Sequence, residues 1–427
     1  MVDVALNCCL QRGPTVLVIG LVWDGFMIAN DVGSVPAQVE GRSSRKPPRL
    51  IIGADFVPTA SNLAAFAAGD GEALVGGELL RLISGADFSV FNLETPLVDF
   101  ESPIDKCGPC LSAPTSSVNG LKAVGSRAFG LANNHIMDQG AIGLQSTIAA
   151  LEGSGFLHFG AGRDLAAAKK HFVVDVGGVA VGIYACVEHE FSVAGASEPG
   201  AVPYDPLESF DDVRDLTARC DYTVALYHGG KEHYRYPSPQ LRRRCRKFAE
   251  CGAQLVVCQH SHCVGCKEDW SGSTIVYGQG NFLFDLADDV FWGTGLLIEV
   301  ELGVNPVVKY HPLKKINASV RVATAAEAQG ILDSFFARSE EIKNEGFVEN
   351  AYGKYAATQL DYYISCGVPG SGSLIYRIVN KLCGGCIAEK LTGAKARLAL
   401  LNHIECESHS ELFAEGLRSK GGFSIGR

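Results

Sequence analysis

Two histidines one residue apart, His260 and His262, follow the short apolar run Leu255-Val256-Val257 in the stretch Gly252 to Asp285. A β-branched apolar run between a glycine and a polar cluster predicts a buried strand that opens into a loop at its C-terminal end. On extended backbone, side chains two residues apart leave on the same side. Both imidazoles can then turn toward one metal ion or toward two adjacent ions. The same spacing also arises on ordinary strand faces, so its meaning depends on whether other segments send matching ligand types to the same place.

Four other segments do so. Leu50-Ile-Ile-Gly-Ala-Asp55 predicts a buried strand with a carboxylate just past its end, and Phe88 to Glu94 predicts another. Ala128 to His135 ends in Asn134-His135, and Tyr222 to His228 ends in an imidazole. Helices are expected over Ser61 to Leu82, Gly140 to Glu152, Ser209 to Cys220 and Pro239 to Cys251. Strands alternating with helices specify an α/β fold, in which residues beyond the carboxyl ends of the strands share one crevice. Asp55, Glu94, Asn134, His135, His228, His260 and His262 can therefore meet. A mixed oxygen and imidazole set suits Mn, Fe or Zn better than the all-oxygen shells of Ca and Mg. A carboxylate that can bridge two ions, flanked by separate imidazoles, is what two divalent metals need in order to activate water.

The remaining pattern frames this set. Phe156 to Asp175 reads as strand, short helix, strand, and Val179 to Cys186, Thr274 to Tyr277 and Gly295 to Glu301 read as further strands. Arg242, Arg243, Arg244, Arg246 and Lys247 are expected to form the solvated face of a basic helix. Beyond residue 320 the composition turns helical. Thr324 and Glu327 have the spacing of a capping box, and Gly and Pro break the helices at Gly367 to Gly372. The expected organisation is an extension and linker over 1–49, an α/β domain over 50–320 and a mainly helical region over 321–427.

At 427 residues and 47% apolar content the chain can bury a sizeable core. Asp and Glu exceed Lys and Arg by 47 to 37, a formal charge of −10, which argues against nucleic acid as a partner. An anionic substrate then needs a local positive feature, and a metal centre supplies one. The 15 cysteines are an odd number in a chain too large to need disulfide staples, so a reducing, cytoplasmic compartment is expected. Cys107/Cys110, Cys263/Cys266 and Cys383/Cys386 have C-x-x-C spacing, open to a structural zinc site or to service as small buried hydrophobes. The apolar run Thr15 to Trp23 is too short to span a bilayer. Arg12 precedes it as in an export signal, but no small-x-small cleavage site follows. Gly41 to Arg49 reads as a basic, proline-containing linker.

Taken together, Gly53-Ala-Asp55, Asn92-Leu-Glu94-Thr-Pro96, Ala132-Asn-Asn-His135-Ile-Met-Asp138-Gln-Gly140, His228-Gly-Gly-Lys-Glu232, Gln259-His-Ser-His262 and Tyr277-Gly-Gln-Gly-Asn281-Phe-Leu-Phe-Asp285 resemble the CapA capsule-synthesis family. That family is also described as the poly-γ-glutamate synthesis group and is related to calcineurin-like metallophosphoesterases. The resemblance covers about residues 50 to 315 and implies a four-layer αββα sandwich with a dinuclear metal centre between two sheets. It implies that Asp55 and His262 bind one metal, that Asn134, His228 and His260 bind the second, and that Glu94 bridges. His135 would protonate the leaving group with Asp138 as its orienting partner, and Glu232 and Asn281 would face substrate.

This chain departs from the pattern at three positions: Val57 stands where phosphoesterases carry a histidine, Gln259 precedes the histidine pair, and Gly229 follows His228. The function implied is a metal-dependent hydrolase of a phosphoester or of an amide-like bond in an anionic polymer. The alternative is a non-catalytic, polymer-binding accessory of a capsule or poly-γ-glutamate assembly complex. Capsule-assembly proteins would be its partners, and any membrane association would come through them.

Overall fold

Strands that read as continuous apolar runs must be covered on both faces. The computed structural model, which describes residues 46–285, 289–366, 373–384, 387 and 393–421, meets that demand with two sheets laid face to face. Strands β1 (Arg49–Val57), β2 (Phe88–Leu93), β3 (Ala128–Gly130) and β4 (Leu157–Phe159) run parallel. β5 (Ala161–Gly162) pairs with β8 (Gly200–Ala201) in a small ribbon. β6 (Phe172–Val176), β7 (Val179–Val187), β9 (Tyr222–His228), β10 (Leu255–Gln259), β11 (Val264–Trp270) and β12 (Ser273–Gln279) build a second sheet in the order β11-β12-β10-β9-β7-β6. β13 (Asn281–Phe284), β14 (Thr294–Glu301), β15 (Val307–Ile316) and β16 (Ser319–Val322) return to the first sheet, whose order is β16-β15-β14-β1-β2-β3-β4 with β13 beside β1.

Alternate side chains sort into three cores. Leu50, Ile52 and Val90 meet Val224, Leu226 and Val257 between the sheets. Ile51 and Phe91 point the other way, against Phe66 of α1 (Leu63–Ala68), Leu74 and Leu79 of α2 (Gly71–Ser84), Leu121 of α3 (Val118–Ala123) and Leu144 of α4 (Gly140–Gly153). On the far side of the second sheet, Ala225, Tyr227 and Val256 pack with Ala168 of α5 (Leu165–Ala168), Val213 of α6 (Ser209–Thr217) and Phe248 of α7 (Pro239–Glu250). Three cores separated by two sheets make a four-layer αββα sandwich.

Several sequence expectations change. The helix expected over Ser61 to Leu82 is broken twice: Gly69 takes a left-handed φ of 67° as a stop, with Asp70 accepting from Ala73 N as a new N-cap, and Gly76, at a φ of 69°, kinks the second helix within its length. β1 runs two residues past Asp55. At that point its register shifts and its neighbour on one side changes from antiparallel β14 to parallel β13. The crossing of β13 and β14 needs Gly295, where a Cβ would lie 2.1 Å from the Asn281 carbonyl oxygen. Strands β11, β13, β15 and β16 carry too little uninterrupted apolar sequence to be read from pattern alone.

The solvated arginine face is also corrected. Arg242 and Arg246 both reach Glu268 on β11 (2.7 and 2.5 Å), Arg244 pairs with Glu188 at 2.8 Å and Lys247 with Glu250 at 3.2 Å, so four of the five cations are engaged by the protein itself.

After β16, α8 (Ala325–Glu341) begins where the Glu327 carboxylate accepts from Thr324 N and Oγ1 at 2.9 and 2.7 Å. It packs against β11 and β15 and places Phe335, wholly buried, in the core between the sheets. α9 (Phe347–Cys366) buries Val348 and Ile364. Further helices span Leu374–Leu382, Ala394–Glu405 and Glu407–Gly421. Among the described residues, no helix is long and apolar enough to cross a membrane. The run Thr15 to Trp23, the linker residues 41–45, the break Gly367 to Gly372 and Cys386 lie outside the described residues.

Candidate metal centre

The carboxyl ends of β1, β2 and β3 in one sheet face those of β9 and β10 in the other. Asp55 sits at the β1 register shift, Glu94 one residue past β2, Asn134 and His135 in the turn after β3, His228 at the last position of β9, and His260 and His262 directly after β10. All seven are buried. Their ligand atoms form two groups that share Glu94: Glu94, His228 and His260 in one, and Asp55, Glu94 and His262 in the other, each spanning less than 4.8 Å.

The histidine pair does not lie on extended backbone. His260 and His262 adopt left-handed φ values of 86° and 52°, a state costing on the order of 1–3 kcal/mol per non-glycine residue. The turn sends the two rings, 6.0 Å apart, to different groups. His262 Nδ1 lies 2.9 Å from Asn281 Oδ1 and 3.4 Å from Asp55 Oδ2, and its ring packs on Trp292 at 4.5 Å. Trp292 Nε1 in turn donates to His233 Nε2 at 2.9 Å.

Glu94 gives the sharpest indication. Both of its carboxylate oxygens are buried without a hydrogen bond, and His260 Nδ1 is likewise unpartnered. His228 Nε2 is 3.2 Å from Glu94 Oε1 but is engaged by Asn134 Oδ1 at 2.9 Å. A buried carboxylate with no donor is costly unless a cation compensates it. This set, two carboxylates, three imidazoles and the Asn134 amide oxygen, fits divalent transition metals.

Electrostatics agree. Burial alone would depress His262, yet its hydrogen bond to Asp55 and the charges of Glu94 and Asp55 raise it to about 9. Burial also opposes the charged form of His228, and Glu94 and Asp55 outweigh it and raise the group. Burial and then the neighbouring imidazoles hold His260 well below the ordinary histidine range. The two carboxylates thus draw positive charge to the places where metal ligands would stand.

Beside this set, His135 Nδ1 lies 2.6 Å from Asp138 Oδ2. Asp138 also accepts from Lys106 Nζ (2.7 Å) and from Leu111 N (2.6 Å). Nδ1 is therefore occupied, and Nε2 is the nitrogen left to exchange a proton. Glu232 lies 3.9 Å from His260 and is half-exposed at the rim.

Sequence reasoning passed over three contributors. Asn92 donates to Asp55 Oδ1 at 2.8 Å and lies 3.3 Å from His228 Nδ1. Glu190 accepts from Asn134 Nδ2 at 3.2 Å, and Lys106 is wholly enclosed beside His135. Asn92 interrupts an apolar strand, which was a readable signal. Lys106 and Glu190 lie in aperiodic loops that offered none. Val57, which stands where phosphoesterases carry a histidine, is buried against Phe284 and Trp292 and forms an apolar wall.

The model of the family described as "Bacterial capsule synthesis protein PGA_cap" matches residues 55–286. The chain is 28% identical over 209 residues to a PGA biosynthesis protein CapA of Bacillus subtilis, covering 48% of this chain and 55% of that one. It is 30% identical over 229 residues to a probable polyglutamine synthesis accessory protein of Mycobacterium tuberculosis, covering 50% and 59%. It thus spans about half the length of the curated relatives it matches. Among solved structures, a 5'-nucleotidase precursor from Thermus thermophilus aligns over 67% of this chain and 58% of its own at 17% identity and a TM-score of 0.38.

Proposed function

The chain belongs to the bacterial capsule synthesis family, and from that premise we propose that it is a metal-dependent hydrolase whose dinuclear centre is held by the paired groups around Glu94. Asp55 and His262 would hold one divalent metal, Asn134, His228 and His260 the other, and Glu94 both. When bound, such metals supply Lewis acidity toward water and positive charge toward the attacked group. The protein's own residues do the rest. Asn92 keeps Asp55 oriented, Asn281 keeps His262 oriented, and Asp138 fixes His135 so that Nε2 holds the proton for the departing oxygen or nitrogen. The substrate class is a phosphoester or an amide-like bond in an anionic polymer of capsule or poly-γ-glutamate type, with Glu232 and Asn281 on the substrate side.

The observation that carries this reading is the buried Glu94 carboxylate, neither oxygen of which accepts a hydrogen bond, shared by two ligand groups. The test is elemental analysis of protein purified without chelator, beside Glu94→Gln and His262→Ala. Two metals per chain in the wild type, fewer in both variants, and loss of hydrolysis of phosphoester and γ-glutamyl substrates are expected. Absence of metal even after Mn²⁺ or Zn²⁺ is supplied would overturn it. Val57 favours a second reading, a polymer-binding accessory with an incomplete first metal position. Binding of polyglutamate without any metal-dependent turnover would select that reading.

A further inference from the structure

Cys107-Gly108-Pro109-Cys110 lies in the middle of a strap, Ser102 to Leu111, that wraps over Asp138 and Gln139. The residues immediately outside the two cysteines are the two donors that the strap supplies to the Asp138 carboxylate: Lys106 Nζ to Oδ1 at 2.7 Å and Leu111 N to Oδ2 at 2.6 Å. Three more bonds fasten the strap: Ile104 N to Asp138 O (3.1 Å), Ser102 N to Gln139 Oε1 (2.6 Å) and Gln139 Nε2 to Leu111 O (3.2 Å). Apart from the reacting histidine, the side-chain contacts of Asp138 come from this strap.

Both thiols are free. Cys107 is exposed, and Cys110 is half-buried with its Sγ donating to Ile104 O at 3.4 Å. Gly108, at a φ of 91°, and Pro109 turn the chain within the four residues. Two intervening residues of this kind are the spacing of redox-active dithiols. We propose that Cys107 and Cys110 are a reversible dithiol–disulfide pair whose state sets how the strap grips Asp138 and thereby positions His135.

The reaction is a two-step exchange with a low-molecular-weight disulfide. The exposed Cys107 thiolate attacks one sulfur of the reagent, forming a mixed disulfide and expelling one thiol. The Cys110 thiolate then displaces the second thiol and closes the ring. Two electrons pass from the pair to the reagent, and the two protons lost by the pair end on the two released thiols. Ring closure removes the Cys110 bond to Ile104 and changes the spacing of the two Asp138 donors. The dithiol is therefore the state with His135 correctly held. The effect on turnover rests on the function proposed above, whereas the exchange and its effect on His135 do not.

The test uses the full chain, treated with glutathione disulfide and then with dithiothreitol. Peptide mass mapping should locate a Cys107–Cys110 bond. The ¹⁵N resonances of His135 should shift on oxidation and return on reduction, and Cys107→Ser and Cys110→Ser should abolish the shift. Hydrolysis should fall roughly tenfold in the oxidised form, the scale for disturbing a group that orients a working imidazole. Glutathione left on Cys107 as a stable mixed disulfide would overturn the proposal. So would a bond that forms while the His135 resonances stay in place. A reversible His135 shift in a protein with no hydrolytic activity would retain the switch and sink the hydrolase.

Discussion

At the scale of single residues, the centre is a competition between protons and metal for the same buried acceptors. His262, raised to about 9 without metal, must give up its proton before it can ligate. Metal affinity is therefore expected to climb as pH rises toward 9 and to level off above it. Calorimetry at pH 7 in two buffers of different ionisation enthalpy should show proton release on Mn²⁺ or Zn²⁺ binding. The His262→Ala variant should release fewer protons. Beside the metals, Asp138 acts through His135 rather than on substrate. Asp138→Asn should lower kcat roughly 10- to 100-fold with metal content unchanged, and a fall in metal content instead would assign it to the metal shell.

At the scale of elements, α7 is fastened to the second sheet by charge as well as by its apolar face. Glu268 on β11 accepts from Arg242 and Arg246 and from Tyr277 Oη at 2.9 Å. Burial disfavours its charge, but these donors prevail and hold it at about 2, below the ordinary carboxylate range. The folded group is thus the stronger acid. Its stabilising contribution is complete above the unfolded value near 4.5 and disappears as pH falls toward 2. Glu268→Gln should cost roughly 2–3 kcal/mol at pH 7 by urea unfolding, and the deficit should shrink below pH 4. The same helix shows why a run of arginines is no guide to a binding face: their partners lie far off in sequence, on β11 and after β7.

At the scale of the whole molecule, the sandwich is closed by a helix outside the α/β alternation. Phe335 of α8 sits between the sheets, 5.1 Å from the ring of Tyr310 on β15. Phe335→Ala should therefore cost about 3–5 kcal/mol, the range for emptying a buried aromatic site. By contrast, none of the described residues of Leu374–Leu382 or Ala394–Glu405 is buried. Deleting residues 373–427 should leave the Tm of the sandwich nearly unchanged, and a large drop would place those helices in its core. α9 lies closer to the site, with Tyr355 stacked on Tyr234 at 4.5 Å in the segment that follows His228 and Glu232.

The α/β class and the strand ends were legible because buried parallel strands are apolar runs, and a polar ligand type at the end of each run stands out against them. Asp55, Glu94, Asn134, His228, His260 and His262 could be named for that reason, and the resemblance divided them between two positions. What depended on distance along the chain was not legible. At Asp55 the neighbour of β1 changes from β14 to β13, strands more than 200 residues away, and the left-handed turn at His260 and His262 is met by Asp55 at His260 N and by Asn281 at His262 Nδ1. Lys106 carries no periodic signal, and only the packing of its strap over Asp138 gives it a place. Sequence fixes which side chains can ligate; the fold decides which of them are left without a partner, because desolvation and hydrogen-bond satisfaction are properties of contacts between segments.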